Sequence, residues 1–173
     1  MPIIILEGID GSGKSTLAQR LAAKSTLPVR IEHRGPIQDT IQAEYVNPLF
    51  EVDENQLLIA DRWHVGEMIY GPLYRDKSMV APYLGAIESI LDWFGAVRII
   101  MSPPIEVVRQ RLEERGEDYL QPQHVEQVHK AYEDFAWTHD YRLMTDVADH
   151  QLDHILAAAM KHQERQHVIA GRR

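Results

Sequence analysis

The chain is predicted to fold as an α/β domain of three layers, with a parallel sheet of about five strands covered by helices on both faces. Three observations predict it. Short apolar runs of strand length recur along the chain, each bounded by turn or charged residues. Longer stretches with apolar residues at helical spacing lie between them. A glycine-rich turn joins the first run to the first of these stretches. Strands that alternate with helices imply parallel pairing through crossovers on both faces.

Each element has its own justification. Residues 2–6 are apolar and rich in isoleucine, as a strand buried on both faces requires. Residues 8–13 are the turn, and 14–24 a helix with Leu17, Leu21 and Ala22 on one face. A second strand is predicted at 28–32, broken by His33-Arg34-Gly35-Pro36, and a short helix at 37–45. Residues 56–60 form a third strand ending at Asp61-Arg62. Helices are predicted at 65–69 and 80–94, and a fourth strand at 96–101. Then come a helix at 104–115 with proline in its first turn, a helix at 123–137, a short fifth strand at 141–144 and a last helix at 152–162. The reading is one domain over 1–160 and a basic tail over 161–173, taken as a solvated end. In sheets of this kind ligands sit beyond the C-terminal ends of strands, where the glycine turn and Asp61-Arg62 both fall.

Composition narrows the partners. The formal net charge of −8 disfavours a general nucleic-acid binder, because such binding comes largely from cationic contacts to phosphates. Nucleic acid is then expected only as a substrate. The tail is locally basic, which leaves 1–160 at 14 basic and 25 acidic residues, a net of −11. The absence of cysteine excludes disulfides and thiolate metal sites. No apolar run reaches the roughly 18 residues of a membrane span. The N-terminal run is closed by Glu7, too early for a signal peptide, so a cytoplasmic protein without membrane partners is expected.

Gly8-Ile9-Asp10-Gly11-Ser12-Gly13-Lys14-Ser15 matches G-x-x-x-x-G-K-[ST] in full, after a strand and before a helix. This is a P-loop. Its glycines let successive backbone N–H groups turn inward around an anion, and the helix start adds a positive dipole end. Gly8, Asp10, Gly11, Ser12, Gly13, Lys14, Ser15 and Thr16, with Arg109 further along the chain, are the predicted nucleotide-binding residues. Lys14 supplies a charge for the β- and γ-phosphates of ATP, and the Ser15 hydroxyl a ligand for Mg²⁺.

The segment Leu6-Glu7-Gly8-Ile9-Asp10-Gly11-Ser12-Gly13-Lys14-Ser15-Thr16 resembles the opening of thymidylate kinases, F/L-E-G-x-D-G-x-G-K-S/T-T. Arg34-Gly35-Pro36 resembles that family's R-E-P-G element, and Asp61-Arg62-Trp63 with Tyr70 its D-R-Y-x-x-S-x-x-A-Y-Q element. The stretch 103–116, with Arg109, Arg111 and Arg115, resembles its helix and arginine-bearing lid, here about 109–121. The resemblance spans about residues 2–157. It implies a P-loop NTPase core, Mg²⁺-ATP and a nucleoside monophosphate acceptor, and a homodimer is compatible with it. The chain departs from the family in a short 16–60 segment and in Gly66 and Gly71, where the motif has serine and glutamine. The likeness therefore carries the phosphate chemistry rather than the reading of thymine.

Asp61 can hold Mg²⁺ through water, and Arg62 can fork onto an acceptor phosphate; a surface ion pair is the plainer reading. Arg34 is a second anion clamp or a solvated loop arginine. Arg111 and Arg115 share a helix face and, with Arg109, are candidates to reach the transferred phosphoryl group, unless the helix is simply a salt-bridged exposed one. By resemblance to deoxynucleoside kinases Glu7 is a base, and by resemblance to thymidylate kinases Asp10 contacts the acceptor sugar; either could instead brace the loop. Trp63, Tyr70 and Tyr74 are candidates to stack on a base or to fill the core. The scattered histidines read as surface residues. The predicted activity is transfer of the γ-phosphoryl of ATP to a deoxynucleotide-like acceptor. Rivals are a kinase of a nucleoside or of a modified-base hydroxyl (such as 5-hydroxymethyluracil) in DNA, and a non-kinase P-loop switch. The switch reading lacks an N-K-x-D element and leaves the arginine-rich lid unexplained.

Overall fold

The computed structural model describes residues 1–116 and 120–170, with side chains to residue 161. Five strands form one sheet in the order β2-β3-β1-β4-β5, every pair parallel. The strands are β1 (Ile3–Glu7), β2 (Val29–His33), β3 (Leu57–Asp61), β4 (Val97–Met101) and β5 (Arg142–Met144). β1 and β3 are buried along their whole length, as their unbroken apolar sequences require, while β2 and β5 are partly exposed edges.

Among the described residues seven α-helices cover the sheet: α1 (Lys14–Lys24), α2 (Asn47–Phe50), α3 (His64–Arg75), α4 (Leu84–Phe94), α5 (Ile105–Arg115), α6 (Val125–Thr138) and α7 (Asp149–Ala170). Alternate residues of each strand feed opposite cores. Ile4 and Leu6 pack with Leu17, Leu21, Leu152 and Ile155 of α1 and α7. Ile3 and Ile5 pack with Leu49, Trp63, Ile87 and Leu91 on the other face. A third cluster joins Ile9 and Ile100 to Val108, Val128 and Tyr132 of α5 and α6. Among the described residues no helix is long and apolar enough to cross a membrane.

Three elements differ from expectation. The helix predicted at 37–45 is a π-helical turn at Gln42–Val46 that leads into α2. Glu44, in that turn, binds Arg34 at 3.0 Å and the Gln38 backbone N–H at 3.3 Å, ties that hydrophobic spacing does not reveal. α3 is much longer than the predicted 65–69, because it runs on through Gly71 and Pro72, residues that read as helix breakers. α7 begins earlier than predicted and continues to Ala170, into the segment read as a tail. Residues 117–119 of the predicted lid lie outside the described residues.

Candidate active site

The parallel register brings three chain ends to one edge of the sheet. Leu6 lies beside Asp61, and Asp61 beside His33, so β1, β3 and β2 finish together under the loop that follows β1. The loop needs glycine at its first position. Gly8 has φ +136°, and a Cβ there would lie 2.4 Å from the Met101 carbonyl oxygen of β4. Gly13, in the left-handed region, caps the start of α1.

Lys14 folds back beneath the loop. Its ammonium donates to the Gly8 and Ile9 carbonyls at 2.8 Å each and to Ser12 Oγ at 3.3 Å. Burial lowers its pKa to about 8, helped by the Arg62 charge and opposed by Asp10, Asp61 and Glu7. The Ser15 hydroxyl donates to Asp61 Oδ2 at 2.5 Å, and His33 Nδ1 lies 3.2 Å from the same oxygen. Asp61 Oδ1 is buried with no hydrogen-bond partner among the described residues. A hydroxyl and a carboxylate with a spare buried oxygen, both beside a P-loop, are a donor set that fits Mg²⁺.

A cavity of roughly 240 Å³ opens on one side of the loop, lined among others by Asp10, Arg34, Arg62, Trp63, Gly66, Glu67, Tyr70, Arg75 and Tyr132. Arg62 has φ +74°, a strained left-handed conformation for an arginine, and its guanidinium pairs with Asp10. Tyr70 donates to the other oxygen of Asp10 at 3.2 Å. Arg34 pairs with Glu32 at 2.5 Å and Glu44 at 3.0 Å, and lies 5.1 Å from the centre of the Trp63 ring. Trp63 is both a core residue and a cavity wall. Tyr74 stacks on Tyr70 at 6.2 Å behind the lining.

Glu7 is fully buried beside this cavity. Its Oε1 accepts from the backbone N–H groups of Trp63 (2.8 Å) and Val65 (2.9 Å), while Oε2 is buried without a partner among the described residues. Gly66 borders the same spot, since a Cβ there would lie 3.9 Å from Oε2 and 3.6 Å from the Tyr132 hydroxyl. Burial raises the Glu7 pKa, against the opposing pull of His64, the two backbone bonds and Lys14.

A groove on the other side of the loop is lined by Gly11, Ser12, Gly13 and Thr16, with Arg111, Arg115 and Asp146 among its rim. Arg111 donates to the Gly11 carbonyl at 3.0 Å. Arg109 is not brought to the loop. Two residues along a helix is a turn of about 200°, so it leaves the face of Arg111 and pairs with Glu126 of α6 at 3.5 Å.

The histidines are not all surface residues: His64 is fully buried and bonds Glu88 at 2.7 Å. His33 is exposed, as expected, and stands beside Asp61 at the candidate metal site. The sequence reading also missed Glu67, Arg75 and Tyr132. Tyr132 is indistinguishable from a core aromatic in the apolar stripe of α6. Glu67, Gly71 and Arg75 recur every four residues, a signal that a longer predicted α3 would have exposed.

The sheet order, the helices on both faces and the strand–loop–helix at Gly8–Ser15 define an α/β domain with the P-loop kinase fold. Several solved structures share this fold over most of the chain. YorR from Bacillus subtilis, determined in complex with phosphorylated GDP, superposes with a TM-score of 0.62 at 21% identity, covering 95% of this chain and 97% of that one. Deoxyadenosine kinase from M. mycoides with bound dATP gives 0.54 at 15% identity, covering 91% and 98%. Polyphosphate kinase 2 from Arthrobacter aurescens TC1 gives 0.55 at 12% identity, covering 98% of this chain and 68% of that one. No protein-family model and no curated protein matches the chain. What the neighbours share with it is the fold; the narrower resemblance to thymidylate kinases stands on the sequence motifs alone.

Proposed function

We propose that the protein is an ATP-dependent kinase that transfers the γ-phosphoryl group to a deoxynucleotide-like acceptor. One observation carries this reading: successive residues of the P-loop face two different cavities. Asp10 lines the cavity of Arg62 and Tyr70, whereas Gly11, Ser12 and Gly13 line the groove of Arg111 and Arg115. A switch protein needs only the second. An enzyme that joins two substrates across a phosphate loop needs both. The neighbours solved with dATP and with phosphorylated GDP favour nucleotide-type ligands.

In this reading Lys14 and the loop amides hold the β- and γ-phosphates, while Arg111 and Arg115 neutralise charge on the transferring oxygens. Mg²⁺, held by Ser15 and by Asp61 through water, would supply further neutralisation of the triphosphate. Arg62, Asp10 and Tyr70 orient the acceptor. The acceptor oxygen attacks the γ-phosphorus as the bond to the β–γ bridging oxygen breaks. ADP leaves, and the acceptor's proton, where it has one, passes to Glu7, Asp10 or solvent. Transfer of this kind depends on positioning more than on a strong base.

A second reading has its own support. Each guanidinium of the acceptor cavity already holds a carboxylate: Arg34 holds Glu32 and Glu44, Arg62 holds Asp10, and Arg75 holds Glu67. Such compensation suits a neutral hydroxyl on a nucleoside, or on a modified base in DNA, better than a second phosphate. Incubation with Mg²⁺-ATP and a panel of deoxynucleosides, their monophosphates and a 5-hydroxymethyluracil oligonucleotide separates the readings. Phosphorylated product from the monophosphates supports the first, and product from the hydroxyl acceptors alone the second. A preference for dTMP over dGMP is expected to stay below about a hundredfold, roughly 2.7 kcal/mol, since Gly66 and Gly71 replace the motif's polar side chains. ADP formation without any phosphorylated acceptor would contradict both.

A further inference from the structure

The acceptor cavity has a wall that neither the motifs nor the phosphate chemistry uses. Glu67, Gly71 and Arg75 lie along one stripe of α3, and Arg75 Nη2 donates to Glu67 Oε2 across the glycine. The other oxygen, Oε1, accepts from the Met79 backbone N–H at 3.2 Å. Gly71 is what permits this. A Cβ there would stand 2.8 Å from Glu67 Oε1 and 2.9 Å from the Lys77 carbonyl oxygen, so any side chain would crowd the oxygen that holds the Met79 N–H and push away the 77–79 turn. Glu67 is buried with both oxygens engaged, while the Arg75 side chain is about one-third exposed (35%) and lines the cavity.

We infer that the Arg75 guanidinium, pinned by Glu67, reads the acceptor base and selects a keto edge, as in guanine or thymine, over an amino edge, as in adenine or cytosine. This rests on the proposal that the cavity holds a nucleoside-type acceptor. The loop side of the cavity belongs to Asp10 and Arg62, where the reacting group must be, which leaves the α3 wall for the base. A guanidinium has only donors to offer, and in a fixed position it matches the carbonyl oxygen and ring nitrogen of a keto purine or the carbonyl of a keto pyrimidine. An exocyclic amine in that place sets donor against donor. Glu67 is poorly placed to compensate as an acceptor for the amine, because its side chain is only 3% exposed and its oxygens already accept from Arg75 and the Met79 N–H. A donor on the cavity wall that a ligand shields from water and leaves unmatched discriminates against that ligand.

The test is calorimetric binding of dGMP, dTMP, dAMP and dCMP to the intact protein, which does not depend on turnover. The two keto nucleotides should bind about tenfold or more tightly than the two amino ones, the scale of losing one matched hydrogen-bonding pair. Arg75→Gln, which can present either a donor or an acceptor, should shrink that ratio to about threefold or less. Arg75→Lys, which keeps the charge without the fork, should shrink it too, and serves if the first variant does not fold. Equal affinities in the unmodified protein, a preference for the amino bases, binding of none of the four, or an equal loss for all four in Arg75→Gln would each overturn the inference. Selective binding without phosphorylated product would leave it standing and overturn the proposed activity instead.

Discussion

Among single residues, Lys14 and Arg62 carry most of the proposed chemistry. Lys14 is a buried ammonium whose desolvation opposes the fold and whose bonds to the Gly8 and Ile9 carbonyls offset that cost. Lys14→Ala should lower kcat by at least about a hundredfold, about 2.7 kcal/mol, and leave the thermal midpoint within a few degrees. Turnover close to the parent's would contradict the assignment. Its lowered pKa also sets a pH dependence. The ammonium, not the amine, attracts phosphate, so kcat/KM for ATP, which reports the free enzyme, should fall as pH rises through about 8. A flat profile from pH 7 to 10 would separate Lys14 from donor binding. Arg62→Lys keeps a cation beside Asp10 but not the fork. Acceptor kcat/KM should fall more than tenfold, about 1.4 kcal/mol, with the KM for ATP nearly unchanged; equal losses for both substrates would mean that Arg62 supports the fold or the donor side.

At the scale of elements, what was legible was what a local pattern fixes. The start and end of α1, the loop before it and the strand ends at Glu7 and Asp61 follow from spacing and turn chemistry within a few residues. Arg111 and Arg115, four apart, were placed together by helical geometry, and the same geometry turns Arg109 away. The illegible parts depend on contacts distant in sequence. Glu44 reaches Arg34 from a π-helical turn, and Tyr132 reaches the cavity from α6. The predicted α3 is short because Gly66, Gly71 and Pro72 disfavour a helix locally, yet Gly66 lines the cavity and Gly71 makes room for Glu67 and the 77–79 turn. Glycine's role also differs among turns, and this is measurable. Gly8→Ala places a Cβ 2.4 Å from the Met101 carbonyl oxygen at φ +136°, whereas a Cβ at Gly35 meets nothing within 4 Å. Gly8→Ala should destabilise by about 2 kcal/mol or more in chemical denaturation, and Gly35→Ala by less than about 0.5 kcal/mol. Similar values for the two would show that the loop relaxes around an added methyl group.

For the whole molecule, the sheet order gives the site its form. β1 lies between β3 and β4, so the loop after β1 has Asp61 and Arg62 on one side and Met101 with Val108 and Arg111 of α5 on the other. An acceptor cavity and a donor groove then flank one phosphate loop, and the proposed activity follows from that adjacency. Strand–helix alternation made the fold class readable from sequence, whereas the pairing order and the two-sided loop emerge only when the strands assemble. The most direct measurement follows the phosphoryl group itself. ATP carrying ¹⁸O on its γ-phosphoryl oxygens is incubated with the protein, Mg²⁺ and a mixture of deoxynucleosides and deoxynucleotides, and the products are resolved by mass spectrometry. The account predicts a heavy phosphoryl group on an organic acceptor, formed in step with ADP and absent in Lys14→Ala. Label recovered only in inorganic phosphate would contradict it, and would make the protein an NTPase whose second cavity serves some other purpose.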